Sequence, residues 1–187
     1  MARSVGVTRE QVVAVAAELA DAHGLDGLTL AQVAARLQIK LPSLYNHVAG
    51  LPGLRRELAL LAARQVYERL TRAAIGKSGD EAILTLAQTY RAFVLEHPGL
   101  YAAMVPAPAP DNEEHQALAV AIVDVILAVL APYNLEADDA IHAVRGLRAI
   151  VHGFATIEQA GGFGLALDRD ESFLRLVRAY IAGLRAP

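Results

Sequence analysis

Two Thr-x-x-Gln motifs near the N-terminus constrain the fold more than any other feature of the chain. In each motif, Thr8 with Gln11 and Thr29 with Gln32, the hydroxyl and the amide can cover backbone N–H groups at the start of a helix. The pattern predicts one helix that begins at Thr8 and ends near Gly24, and a second that begins directly after Thr29. We therefore expect two helices within the first forty residues of the chain.

A third, very short helix follows after a tight turn. Proline is tolerated in a first helical turn, so we expect this helix to run from Pro42 to about His47, with Leu44 and Val48 facing inward. A helix of about eight residues, a turn of three or four and a second short helix together form a helix-turn-helix. In that motif the second helix enters the DNA major groove. The pattern predicts a DNA-binding element.

The rest of the sequence favours helix as well. Arginine, alanine, leucine and glutamate favour helix intrinsically, and runs with strict strand-like alternation are hard to find. Hydrophobic residues make up 55% of the chain and charged residues 20%, which argues against disorder. The predicted later helices span 54–74, 80–96, 99–104, 113–131, 137–160 and 170–184. We expect an all-α fold with a three-helix domain over residues 1–53 and a helical bundle over 54–187, of which 54–75 is a connecting helix.

The charge balance excludes a uniformly basic nucleic-acid coat. The formal net charge is −3, and residues 1–60 hold 6 basic and 5 acidic side chains. Attraction to DNA must therefore come from a few well-placed residues. The chain has no cysteine, which excludes disulfides, thiolate metal sites and a cysteine nucleophile, and fits a reducing cytoplasm.

Targeting and membrane signals are not expected. The start, residues 1–6, has no apolar run that could serve as a signal peptide. The most apolar stretch, 117–131, is interrupted by Asp124 and is shorter than the roughly 20 residues that a bilayer requires. We expect a cytoplasmic protein without a membrane-spanning segment.

The N-terminal motif resembles the tetracycline-repressor (TetR) family of bacterial regulators. The string Pro42-Ser43-Leu44-Tyr45-Asn46-His47 is similar to the recognition helix of that family. The further matching positions are Thr8, Ala16, Ala17, Leu19, Gly24, Leu28, Thr29, Leu30, Val33, Ala34, Leu37, Val48 and Leu54.

The C-terminal part resembles the TetR-type regulatory domain that is named for a Trp-His-Gly motif. Here Val151 stands where the motif has tryptophan, followed by His152 and Gly153. The other matching segments are 90–93, 97–101, Met104, Phe154, Glu158 and 161–163. This resemblance implies a helical sensor domain that binds a small molecule and dimerises.

The resemblance also implies roles for individual residues at the DNA. Tyr45, His47 and the N-cap region at Thr29 would contact phosphates, and Gln32 would lie at the groove edge. The residues nearest the bases would be Lys40, Leu41, Ser43 and Asn46, and Pro42 belongs to the same DNA-binding set. Alternatively, Tyr45 packs against the first helix, His47 is a plain capping or surface residue, and Gln32 is only solvated.

Two positions depart from the family pattern. Many members carry a phosphate-gripping lysine at the start of the fourth helix, where this chain has Leu51. Arg55 or Arg56 could replace it. Ala31 stands where members often carry a base-reading residue of the second helix.

Candidate ligand-binding and dimer residues lie in the C-terminal part. The ligand candidates are Tyr90, Phe93, Tyr101, Met104, Asp124, Arg148 and His152. Ordinary core packing is the favoured alternative for the three aromatic residues and Met104, and a hydrogen-bonded core position is the favoured alternative for His152. Asp124 could instead pair with Arg145 or Arg148. An apolar stripe on the last helix predicts the dimer interface, with packing inside one chain as the alternative. Its residues are Phe173, Val177, Tyr180, Ile181 and Leu184. No two histidines have metal-ligand spacing on one helix, so no metal and no cofactor are expected.

The sequence thus predicts a homodimeric, ligand-responsive regulator, most simply a repressor that a small-molecule inducer releases from a palindromic operator. Two other classes stay open. A helical small-molecule-binding protein without DNA binding would lack salt-dependent binding to promoter DNA. An all-α enzyme would need a nucleophile–base pair or paired carboxylates, and the sequence offers no such pair.

Overall fold

The computed structural model describes residues 6–185, and within this range the chain folds into nine α-helices and one short 3₁₀ turn without any strand. The helices are α1 Arg9–His23, α2 Leu30–Arg36, α3 Leu41–Leu44, α4 Gly50–Ala74, α5 Gly79–Glu96, α6 Pro98–Met104, α7 Glu113–Leu130, α8 Ala137–Gln159 and α9 Arg169–Gly183. The prediction of an all-α fold is confirmed. Residues 1–5, part of the segment where we expect no signal peptide, lie outside the described residues.

Both predicted capping boxes are present. The Thr8 backbone N–H donates to Gln11 Oε1 over 2.9 Å, and the Gln11 N–H donates to Thr8 Oγ1 over 3.3 Å. The same reciprocal pair joins Thr29 and Gln32, with distances of 2.8 and 3.3 Å. Two backbone donors that α1 and α2 would otherwise leave without partners are thereby satisfied in each case.

The described chain divides into two compact units. The first contains residues 6–62 together with 97–109, and the second contains 63–96 together with 110–185. The first unit therefore holds α6, which is distant from α1–α3 in sequence. These are units of packing, and the functional division at residue 53 stays a prediction.

In the first unit, α6 lies unusually close to α1. A Cβ atom built on Gly99 would lie 2.0 Å from the carbonyl oxygen of Ala20, so only glycine fits there. The adjacent Asp21 carboxylate accepts the Leu100 backbone N–H over 2.8 Å and lies 3.0 Å from Nδ1 of His97. Asp21 thus holds the first turn of α6 on α1.

In the second unit, a nearly buried arginine joins α5, α8 and α9. Arg91 donates two hydrogen bonds of 2.8 Å to Glu158 and one of 2.7 Å to Asp170. Its guanidinium lies 5.4 and 5.0 Å from the ring centres of Phe154 and Phe173. The hydrogen bonds that Arg91 donates to Glu158, more than any other contact, raise the pKa of Arg91, which keeps this group charged.

The most apolar helix lies close to its predicted span of 113–131, since α7 covers Glu113–Leu130 and the 3₁₀ turn covers Ala131–Tyr133. The segment Glu113–Tyr133 is a continuous helical stretch of 21 residues that is long and apolar enough, by length and composition alone, to cross a membrane. This stretch exceeds the apolar run 117–131 because it also includes the polar residues 113–116 and the 3₁₀ turn. The apolar run itself is shorter than the roughly 20 residues that a bilayer requires. Few of its residues are fully buried inside the chain, and most of its apolar residues are half-buried.

Candidate nucleic-acid interface

The turn between α2 and α3 is closed by the backbone. Gln38 adopts a left-handed conformation with φ of 55°, and the Ile39 N–H donates to the Ala34 carbonyl over 3.0 Å. The third helix itself is shorter than predicted, since it ends at Leu44 instead of near His47. Beyond it, hydrogen bonds between residues three apart continue a looser helical turn, with the His47 N–H donating to the Leu44 carbonyl over 2.9 Å.

Apolar side chains fix the orientation of this turn. Leu44 is fully buried and Val48 is buried, as predicted, together with Val33 of α2. Burial of a leucine contributes about 1.5–3 kcal/mol relative to leaving it exposed. With Leu44 facing the core, Leu41 and Pro42 at the start of α3 are exposed to solvent.

Most of the predicted DNA-facing residues lie on the exposed side of α2 and α3. The exposed ones are Thr29, Gln32, Lys40, Leu41, Pro42, Tyr45 and Asn46. Ser43 and His47 are half-buried. Tyr45 is 59% exposed, so the alternative in which its ring packs against the first helix is wrong.

The capping box limits what Thr29 and Gln32 can offer to DNA. The Thr29 hydroxyl donates to Gln32 Oε1 over 2.8 Å and accepts the Gln32 N–H, so both of its roles are occupied. The Gln32 oxygen also accepts the Thr29 N–H. Within this capping box, the amide nitrogen of Gln32 is the side-chain group that can still donate a hydrogen bond to DNA.

Arg55 is engaged within the first unit. It donates to the Leu25 carbonyl over 3.2 Å and to the Asp26 carboxylate over 3.4 Å, across the connection between α1 and α2. Leu51, where the family lysine would stand, is half-buried, and Arg56 is exposed.

One carboxylate affects the electrostatics near this surface. The pKa of Glu10 is lowered by a backbone hydrogen bond and by the Thr8 hydroxyl, with smaller contributions from the charges of Arg9 and His47. Glu10 is thus ionised at neutral pH. An anionic group near His47 opposes a phosphate, which limits the non-specific attraction to DNA.

The seven ligand candidates do not all lie in one unit. Tyr101 and Met104 are buried in the first unit with α6, whereas Phe93 is buried in the second. Tyr90 and His152 are half-buried in the second unit, and Asp124 and Arg148 are exposed. Asp124 is solvated because it lies on the outward side of α7, so its charge requires no buried partner.

The predicted dimer stripe on α9 is in large part an interior stripe. Phe173, Val177 and Ile181 are buried within the single chain and cannot form a surface for a second copy, which corrects the prediction. Tyr180 donates its hydroxyl to the Ala143 carbonyl and is half-buried, as is Leu184. The exposed large apolar side chains near these helices are instead Ile157, Leu165, Leu167 and Leu176. The helical spacing of these residues predicts an apolar stripe on α9, but it does not tell whether the stripe packs inside the chain or against a second copy.

Two features of the second unit were not found from the sequence. A cavity of about 280 Å³ at the α8–α9 connection is lined by Phe154, Phe163, Leu165, Leu167, Arg169, Ser172 and two glycines. A polar cluster joins Asp80 to the hydroxyl of Tyr133 and the guanidinium of Arg185. Burial and the Asp80 carboxylate raise the pKa of Tyr133 to about 12.

Among residues 6–185, no group of three or more His, Asp or Glu side chains is placed to hold a metal ion.

Comparisons with known proteins agree with this arrangement. Residues 83–180 match the family model described as "Tetracyclin repressor-like, C-terminal domain". The chain is 32% identical to the HTH-type transcriptional regulator YobS of Bacillus subtilis (strain 168), covering 98% of this chain and 96% of that protein. It is 33% identical to the HTH-type transcriptional regulator Rv0681 of Mycobacterium tuberculosis (strain ATCC 25618 / H37Rv), covering 98% and 84%.

Solved structures share the fold at lower identity. A protein of unknown function from Rhodococcus sp. RHA1 superposes with a TM-score of 0.82 at 22% identity, covering 98% of both chains. A TetR variant from Acinetobacter baumannii AYE, solved with minocycline, gives a TM-score of 0.74 at 23% identity and covers 97% of this chain and 100% of that one.

Proposed function

The chain belongs to the TetR family of transcriptional regulators, and from this premise we propose that it is a homodimeric repressor released from a palindromic operator by a small-molecule inducer. Family membership makes it a DNA-binding regulator that responds to a ligand. The direction of regulation, the operator symmetry, a cytoplasmic location and the lack of catalytic activity are parts of the proposal.

The exposed side of α3 is the observation that carries the proposal. Buried Leu44 anchors α3, and Lys40, Tyr45 and Asn46 are exposed around it. In a dimer the two copies of α3 would enter successive major grooves, about 34 Å apart on one face of the DNA. Asn46 can donate to and accept from adenine, and Lys40 can reach guanine or a phosphate.

Exposed apolar side chains on α8 and α9 support the dimer. Ile157 on α8 and Leu176 on α9 are 48% and 38% exposed. Burying them against a second copy removes apolar surface from water, which is the main favourable term in such associations. These two residues replace the interior residues of α9 as the proposed interface.

An inducer would act through its preference for one of two states of the dimer. A ligand shifts such an equilibrium only as far as its affinities for the two states differ. We propose that the second unit supplies the ligand site, with Tyr90, Phe93 and His152 as the predicted contacts of that unit that are buried or half-buried.

DNA binding is tested with sequences enriched from a random double-stranded library by the full-length protein. The logarithm of the affinity should fall linearly with the logarithm of salt concentration, with a slope of about −0.9 per neutralised phosphate. Tyr45→Ala should weaken binding to enriched and scrambled DNA alike. Asn46→Ala should reduce the preference for enriched DNA by about tenfold, the scale of one base contact.

Gln159→Ala is the matched control, since it removes an exposed amide at the end of α8. It should leave affinity and preference unchanged. If Tyr45→Ala and Asn46→Ala behave like this control, α3 does not read the DNA.

Repression is tested by transcription in vitro from a promoter that overlaps the enriched sequence. The protein should lower the transcript level, and an increase would show an activator.

A further inference from the structure

The DNA-facing side of α3 carries an apolar side chain that no role assigned so far explains. Among the described residues of the first unit, the exposed large hydrophobic side chains are Leu41, Tyr45 and Val105. Leu41 and Tyr45 are four residues apart and therefore lie one turn apart on the same side of the helix. Tyr45 has a hydroxyl for a phosphate, whereas Leu41 is purely apolar and is 40% exposed.

The position of Leu41 is fixed by its neighbours. It is the first residue of α3, and Leu44, three residues on, is fully buried. The Ser43 backbone N–H donates to the Lys40 carbonyl over 2.9 Å, which closes the first turn around Leu41. The exposed part of the isobutyl group thus points out beside Lys40 and Pro42, at the end of α3 that enters the groove in this motif.

The chemistry of the major groove leaves one partner for this group. An isobutyl side chain has no donor or acceptor, so it cannot read the nitrogen and oxygen atoms of the base edges. The C5-methyl group of thymine is the apolar feature that base pairs present there. We propose that Leu41 is a specificity-determining residue that contacts the C5-methyl group of one thymine in each operator half-site. This inference rests on the proposed DNA-binding function and extends it to a named base.

The expected effect follows from the area that one methyl group buries. Replacing that thymine by uracil removes the methyl and keeps the base pair. Loss of one buried methyl should weaken binding about fourfold per half-site, and about fifteenfold when both half-sites carry uracil. Uracil at thymines that Leu41 does not contact should change the affinity much less.

The experiment is a cycle between protein and DNA, measured by fluorescence anisotropy with the full-length protein. The probe is the sequence enriched from the random library, with each thymine of the half-site replaced in turn by uracil. Four proteins are compared: the unchanged chain, Leu41→Ala, Leu41→Met and the control Ile75→Ala. Ile75 is a second aliphatic side chain, 74% exposed, in the turn after α4.

The unchanged chain and Ile75→Ala should show the same sensitive thymine. Leu41→Ala should bind the thymine probe about as weakly as the unchanged chain binds the uracil probe, with no further loss on uracil. Leu41→Met, which keeps an apolar side chain of similar volume, should keep most of the sensitivity. Circular dichroism should show equal helix content in all four proteins.

Three results would overturn the inference: an enriched half-site without thymine, no thymine whose replacement weakens binding, or a Leu41→Ala protein that is as sensitive to uracil as the unchanged chain. Each leaves DNA binding itself intact. Failure of the proposed function has a different signature, because then no sequence is enriched and no salt-dependent binding occurs.

Discussion

Replacing Gly99 by alanine should loosen α6 from α1 and destabilise the first unit. The new Cβ would lie 2.0 Å from the Ala20 oxygen, 2.1 Å from its carbonyl carbon and 2.7 Å from the Asp21 nitrogen. All three are backbone atoms of a helix, so no side chain can turn aside. The helices must separate by more than about 1 Å to restore van der Waals contact, which is an overpacked arrangement that costs about 1–3 kcal/mol.

The separation also lengthens the 2.8 Å hydrogen bond between the Leu100 N–H and the Asp21 carboxylate. A hydrogen bond to a charged group contributes about 1.5–3 kcal/mol. Alanine recovers about 1 kcal/mol over glycine in a helix. The net loss in the free energy of unfolding should therefore be about 3 kcal/mol.

Urea unfolding followed by circular dichroism measures the total loss, and hydrogen exchange of peptides from α1 and α6 locates it. Gly183→Ala is the matched control, since a Cβ there meets no atom within 4 Å at the last residue of α9. It should be neutral or slightly stabilising. If Gly99→Ala has the same urea midpoint as this control and unchanged exchange in α1, the close approach of α6 and α1 does not limit stability.

Three further predictions concern the second unit. Arg91→Met should lower the free energy of unfolding, measured by thermal unfolding, by about 3 kcal/mol, because it leaves the charge of Glu158, a side chain only 10% exposed, without its main partner. Replacing Glu158 by leucine in the same chain should restore most of that free energy. The free energy of unfolding should fall as the pH rises from about 10 toward 12, because the pKa of Tyr133 is raised to about 12 and folding favours the protonated phenol. Tyr133→Phe should make the free energy of unfolding less dependent on pH in this range. An unchanged slope in this variant would show that Tyr133 does not cause the pH dependence. Leu176→Glu should convert dimer to monomer in sedimentation velocity while Ile75→Glu does not, and equal behaviour of the two variants would move the interface elsewhere.

Local signals made most of the helix boundaries predictable. The capping boxes at Thr8 and Thr29 act over three residues, so the sequence alone contains both partners of each hydrogen bond. The inward direction of Leu44 and Val48 follows from helical spacing in a three-helix core. The early end of α3 was missed, because its last turn depends on weaker hydrogen bonds that no residue type marks.

Contacts between distant segments could not be predicted in the same way. Phe173 and Leu176 are both apolar and lie on one helix, yet only the packing against α5 and α8 decides that Phe173 is buried and Leu176 is exposed. The ion pair of Arg91 with Glu158 joins residues 67 positions apart. Such pairs depend on the arrangement of whole helices, about which the spacing of apolar residues within one helix carries no information.

The placement of α6 with α1 has a consequence for the order in which the chain can fold during synthesis. Asp21 finds its partner His97 only 76 residues further along the chain. When the ribosome has made α1–α3, the surface of α1 around Ala20 is still uncovered, because α6, which packs there, follows both α4 and α5 in the chain. The unit that carries α3 is therefore not finished first, although a chain is made from its N-terminus. A polypeptide cut after residue 62 would contain every DNA-facing residue and still lack one side of its own core.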